Sequence, residues 1–228
     1  MHKSDPELVG ENRDMGSIQL INIAETCAAT RSLGPGLRAV VWVQGCPFHC
    51  HACIAPEWTT SRVNRLIHPA DLAAELLADP EVTGLTFSGG EPMMQAAGLA
   101  VTARIARALR DISIICFTGF TLEQLRDHPP GPGVHDLLGL VDVLIDGPYV
   151  DTQNDNLGLR GSSNQRIHYL TERLSSYDLV NEPRRAEIHF GSDYALLVGV
   201  PPDGVKKAFE GAIRYANISV LASIGRNE

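Results

Sequence analysis

Three cysteines fall within eight residues: Gly45-Cys46-Pro47-Phe48-His49-Cys50-His51-Ala52-Cys53 reads C-x3-C-x2-C. Thiolates this close can converge on one metal centre, and the chain around them has to form a loop that Pro47 helps to hold open. Chance rarely packs three thiols so tightly, which leaves two metal readings. A zinc ion would take His49 or His51 as its fourth ligand, but structural zinc sites usually draw four ligands from two separated pairs. No second pair exists, because the other two cysteines, Cys27 and Cys116, are isolated and read as small buried core residues. A [4Fe–4S] cluster held by three cysteines leaves one iron without a protein ligand, open for chemistry. The spacing favours the cluster over zinc.

Length and charge bound what surrounds that loop. A chain of 228 residues can bury a core without disulfides and makes one domain or at most two. The 19 basic and 27 acidic residues leave a net charge of -8, which argues against a broad nucleic-acid-binding face. The N-terminus MHKSDPELVGENRDMG has no apolar signal core. No run approaches the roughly 18 apolar residues of a membrane helix. The expectation is a reduced, cytoplasmic protein whose clustered thiols bind something, with no membrane and no direct nucleic-acid partner.

Along the chain, strand-like and helix-like segments alternate. Strands are predicted at 18–24, 38–45, 84–90, 111–119, 141–149 and 193–199, and a last one at 217–223. Helices are predicted at 68–79 (Leu72, Leu76 and Leu77 on one face), 92–110 (Met94, Ala97, Val101 and Ile105), 121–127 and 204–216. The stretch 151–185 is polar and irregular. This order implies βαβ units and a mostly parallel sheet. Such folds build sites at the carboxyl ends of their strands. Gly45-Cys46, Ser88-Gly89-Gly90, Thr118-Gly119 and Asp146-Gly147 all follow strand-like runs, so they are expected on one rim.

The second motif, Ser88-Gly89-Gly90-Glu91-Pro92, closes the strand GLTF. Its glycines let backbone approach a ligand closely, and Glu91 sets a carboxylate at a helix start, able to hold an ammonium group. The pair of motifs resembles the radical S-adenosylmethionine (SAM) superfamily. That resemblance implies an α/β fold, an incomplete (β/α)6 barrel, with Cys46, Cys50 and Cys53 as ligands of a [4Fe–4S] cluster. It also implies that SAM chelates the fourth iron, that Ser88, Gly89, Gly90 and Glu91 bind its methionine ammonium, and that one cluster electron cleaves SAM to a 5′-deoxyadenosyl radical.

Three stretches narrow the likeness. VWVQGCPFHCHACIAPEWT, CFTGFTLEQL and VDVLIDGPYVDTQNDNLGLRGSSNQRIHYL resemble the anaerobic ribonucleotide reductase activating enzymes, over residues 17 to about 170. The wider superfamily often has an aromatic residue before the last cysteine; Ala52 stands there, as is typical of these activators. Their activity is to place a radical on a glycine of a large partner enzyme, with a flavodoxin- or ferredoxin-type reductant implied. The resemblance also points to Arg160 and Asn164 as residues that grip SAM or the incoming chain, and to Thr118 and Asp146 at the rim. A polar arm (1–16), a core domain (17–200) and a C-terminal extension (201–228), a helix plus a strand packed on the core, complete the expected organisation. That extension runs longer than such activators usually do, so a peptide or small-metabolite substrate is the alternative. A non-catalytic zinc or iron–sulfur module is the second alternative.

Overall fold

The segment Arg38–Val43 (RAVVWV) is β-branched and aromatic, and all six residues are buried, as in a strand covered on both faces. The computed structural model describes residues 19–191, 194–216 and 219–220, so the expected arm at 1–16 lies outside the described residues. In chain order the elements are β1 (Ile21–Thr30), β2 (Arg38–Val43), β3 (Arg65–Ile67), α1 (Pro69–Leu76), β4 (Gly84–Gly89), α2 (Ala96–Leu109), β5 (Ser113–Phe117), α3 (Leu122–Asp127) and α4 (Val134–Leu138). They continue with β6 (Val143–Asp146), β7 (Arg166–Tyr169), β8 (Ala186–Phe190), β9 (Tyr194–Gly199), α5 (Val205–Ala216) and β10 (Ser219–Val220).

A seven-stranded mixed sheet runs β3-β1-β2-β4-β5-β6-β7. Its centre, β2-β4-β5-β6, is parallel, and β1, β3 and β7 pair antiparallel at the flanks. The register sets Val43 opposite Gly89, Phe87 opposite Cys116 and Phe117 opposite Ile145. The carboxyl ends of the four parallel strands therefore finish level with one another. A second sheet, β10-β9-β8, follows.

Pleat parity divides the core. Ala39, Val41, Val43, Leu85, Phe87, Ile114, Cys116 and Leu144 join Leu72, Leu76, Leu99 and Ala103 of α1 and α2 on one face. Val40, Trp42, Ile115, Val143 and Ile145 point the other way and meet Leu196 and Val198 of β9. At the amino ends of the strands this second face is closed by Arg38, wholly buried. Its guanidinium bonds Thr86 Oγ1 at 2.7 Å and Ser113 Oγ at 2.8 Å, together with the carbonyls of Pro35 and Leu85. Beyond β9, Phe209 and Ile213 of α5 pack on Ala195 and Leu197.

The predicted elements have counterparts, with corrections. β1 runs to Thr30, past the end predicted from the sequence. The predicted strand at 217–223 is described only at Ser219–Val220. The helix predicted at 92–110 begins with a tight 3₁₀ turn, Pro92–Gln95, and becomes α-helical at Ala96. That turn shifts the phase, so Met93, Ala96, Leu99, Ala103 and Ala106 face the core while Met94 is 45% exposed. β3, α4, β7 and β8 were not anticipated. They are short and flanked by turn residues, too brief for a periodic pattern to register.

Candidate active site

The level strand ends bring the two motifs together. After β2, Gly45 N–H donates to Trp58 O (2.8 Å) and Cys46 N–H to Thr59 O (3.0 Å), closing the cysteine segment into a loop. After β4, Gly90 N–H donates to Val43 O (2.7 Å) and Glu91 N–H to Gly45 O (2.8 Å). The glycines are needed for this contact: a Cβ on Gly90 would meet Gly45 O at 2.2 Å, and one on Gly89, at φ +109, would meet Val43 N at 2.4 Å. The pair thus brings the second motif's backbone against the first.

A cavity of about 350 Å³ opens over this junction, within the size range of small-ligand pockets. Cys46, Cys50 and Cys53 line it, as do Ser88, Gly89, Gly90, Glu91, Thr118 and Gly119. The thiols are unpaired. Burial pushes Cys46 up to about 11, against the opposing pull of a hydrogen bond from Phe48 N–H, with Glu91, Cys50 and Cys53 near enough to raise it further. Burial raises Cys53 too, countered by Ala55 N–H. Amide donors on both sulfurs are the kind of contact that stabilises a ligating thiolate. Among the described residues no three His, Cys, Asp or Glu side chains are gathered tightly enough for one metal ion. Neither His49 nor His51 lines the cavity; His51 is 88% exposed in its side chain and bonds Asp151 at 3.2 Å.

Glu91 lies beneath the cavity, 1% exposed. Its Oε1 accepts from Met93 N–H (2.9 Å) and Thr118 Oγ1 (2.8 Å), and its Oε2 from Gly119 N–H (2.8 Å). Burial outweighs these three bonds and lifts its pKa to about 7. A carboxylate has about four lone-pair positions, so room for one further donor remains. Thr118 thus meets the cavity as expected and also fixes Glu91.

Three expected site residues, Asp146, Arg160 and Asn164, do not line the cavity. Asp146 is buried beneath the rim, its oxygens held by Leu122 N–H (2.6 Å), Arg166 (2.6 Å) and His168 (3.0 Å). Burial raises its pKa, but Arg166 and Leu122 N–H outweigh that and hold it below the ordinary range. Arg160 turns to Asp155 at 2.7 Å, and Asn164 Nδ2 donates to Pro148 O at 2.8 Å. Their neighbours Gly161 and Gln165 reach the cavity instead. Gln165 bridges Gly161 N–H and Gly147 O, both at 2.8 Å, folding the polar segment onto the turn after β6. Tyr149, Asn154, Arg184 and Lys206 line the cavity as well. Sequence reasoning missed these four, because a polar side chain at a strand end, in an irregular stretch or on a helix carries no pattern that announces the cavity it will line. No helix among the described residues is long and apolar enough to cross a membrane.

Comparison with known proteins matches residues 32–168 to the family described as a 4Fe-4S single cluster domain. The anaerobic ribonucleoside-triphosphate reductase-activating protein of Vibrio cholerae is 35% identical over 148 residues, 60% of this chain and 91% of that one. The protein of the same name from Enterobacteria phage T4 is 28% identical over 152 residues, 64% of this chain and 92% of its own. A pyruvate formate-lyase-activating enzyme of Staphylococcus aureus is 37% identical over 68 residues, 27% of each chain.

Proposed function

We propose, from the premise that this chain belongs to the 4Fe-4S single cluster domain family and to the radical SAM activases of glycyl-radical enzymes, that it installs a glycyl radical on an anaerobic ribonucleotide reductase. It is a radical SAM enzyme, and its cofactors are a [4Fe–4S] cluster and SAM. When bound, the cluster supplies the electron that splits SAM into methionine and the 5′-deoxyadenosyl radical, which takes a hydrogen atom from the target glycine.

The carrying observation is that Cys46, Cys50 and Cys53 share one cavity with the Ser88–Glu91 turn. The donor set fits the cluster: three unpaired thiols, two with amide donors, and no histidine among the cavity's lining. A four-iron cube takes one thiolate per iron, so it suits sulfurs spread along a wall better than a single zinc ion would. Glu91 offers the ammonium of SAM a buried negative charge, while Thr118 and Gly119 hold its oxygens in place. In this reading the open sheet is the partial (β/α)6 barrel. The face turned away from α1 and α2 encloses the reaction, and the helix of the extension, Val205–Ala216, packs on β9. The cytoplasm and a flavodoxin- or ferredoxin-type reductant suit this chemistry. Asp146, Arg160 and Asn164 act as supports of the rim, through Arg166, Asp155 and Pro148.

Anaerobic reconstitution with iron and sulfide, then dithionite and SAM, is expected to yield 5′-deoxyadenosine, and Cys50→Ala to yield none. Full product from that variant, or none from the wild type, would refute the assignment.

A further inference from the structure

Part of the cavity's lining, Arg184 and Lys206 included, comes from chain beyond the matched stretch 32–168. Arg184 is its unusual member. The side chain is only 2% exposed, and its Nη2 is spent on two main-chain oxygens, Arg160 O at 2.7 Å and Gly161 O at 3.0 Å. Its Nε is buried without a hydrogen-bond partner among the described residues. Asp155 stands 3.8 Å away and is already engaged by Arg160 at 2.7 Å. A buried cation without a close partner is costly, and a ligand carboxylate would relieve that cost with a charge-assisted bond. Lys206, in the first turn of α5, lines the same cavity, near enough to Cys53 to act on it electrostatically. Asp203 lines it too, but it is exposed and bonded by Asn154 Nδ2 at 3.3 Å.

We infer that Arg184 and Lys206 form a carboxylate subsite that seats an acidic side chain or terminal carboxylate of the polypeptide whose glycine enters the cavity. The inference rests on the activase reading and extends it to how the target is oriented. Two carboxylates compete for such a subsite, that of SAM and that of the target. Position favours the target. The groups assigned to the cofactors, Cys46 to Thr118, lie inside the stretch shared with the family, whereas Arg184 and Lys206 lie outside it.

The test uses the reconstituted holoenzyme carrying Arg184→Gln, Arg184→Lys or Lys206→Gln. Each is measured for SAM affinity, from the change in the cluster spectrum on titration, and for KM toward anaerobic ribonucleotide reductase, from glycyl-radical yield by electron paramagnetic resonance. Loss of a charge-assisted pair is expected to raise KM about tenfold or more in Arg184→Gln and roughly threefold in Lys206→Gln. Arg184→Lys should recover part of the loss, and KM should move several times further than SAM affinity. Equal displacement of both would overturn the assignment in favour of the carboxylate of SAM. Displacement of neither in the folded variants would overturn the subsite itself. If Arg184→Gln does not fold, Lys206→Gln decides: its KM must exceed that of the wild type and respond less to added salt. A wild-type holoenzyme that neither cleaves SAM nor forms the radical defeats the activase reading and the subsite with it, an outcome distinct from the variant patterns.

Discussion

On β2, Ala39, Val41 and Val43 turn toward α1 and α2, while Val40 and Trp42 turn the opposite way, and the pattern repeats on β5 and β6. The helix side is apolar throughout, with Phe87 and Cys116 among its aliphatic residues. The other side is covered by β9, closed at one end by the buried Arg38, and opens at the other into the cavity. Period-2 alternation lets one strand serve both purposes. It also means that a one-residue slip would exchange the stabilising set for the set that shapes the cavity. Residues on the first side should therefore govern stability with little selective effect on ligands, and those at the cavity the reverse.

The largest expected effect breaks the helix side. Phe87 is fully buried there, opposite Cys116, and Phe87→Ala should cost about 3–5 kcal/mol through lost transfer and an unfilled cavity. Urea unfolding measures the loss, and SAM affinity per folded molecule should stay near that of the wild type. A cost under about 1 kcal/mol would contradict the division of labour between the faces.

Glu91 sharpens the other side. Its folded pKa of about 7 stands above its ordinary 4.5, so between those values the folded chain keeps a proton the unfolded chain has released. Stability of the cofactor-free protein should accordingly fall as pH rises from about 4.5 to about 7 and level off beyond, by up to about 3 kcal/mol. Glu91→Gln adds a pH-independent cost, from its altered bond to Gly119 N–H, but should abolish this component of the slope and weaken SAM binding. Parallel pH profiles for wild type and variant, by denaturant midpoint, would show that the carboxyl is not protonated in the folded state.

How much of this could be read from residues follows the same division. Leu72, Leu76 and Leu77 were legible because helical spacing is geometric, and the strand ends were legible because glycine and cysteine motifs sit there. Met94 misled, since a 3₁₀ turn set by Pro92 and Glu91 moved the buried face by one residue. Arg160 and Asn164 differ again. In that donor-rich loop Arg160 turns to Asp155 and Asn164 donates to Pro148 O, while Gly161 and Gln165 are the members that line the cavity. Arg184 lies in the irregular stretch 151–185 and Lys206 on a helix read only for its spacing, and it is the folding of those segments that brings both to the cavity Cys53 lines.

The smallest expected effect joins the two motifs through a third strand end. Phe48, between Cys46 and Cys50, lies over Gly119 so closely that a Cβ there would stand 2.6 Å from its ring, and the ring meets Phe120 edge-on at 4.8 Å. Gly119 N–H also holds Glu91 at 2.8 Å. Gly119→Ala must therefore expel Phe48 from its slot, at roughly 1–3 kcal/mol for overpacking. Because Phe48 belongs to the cysteine loop, iron and sulfide content after reconstitution should fall as well. Phe48→Ala removes the obstruction, so the double variant should be less impaired than the two single losses sum to, a coupling readable from thermal unfolding and from iron per chain. Additive losses would mean that Phe48 is not held by Gly119, and that the cysteine loop is positioned by its own closure at Trp58 and Thr59 alone.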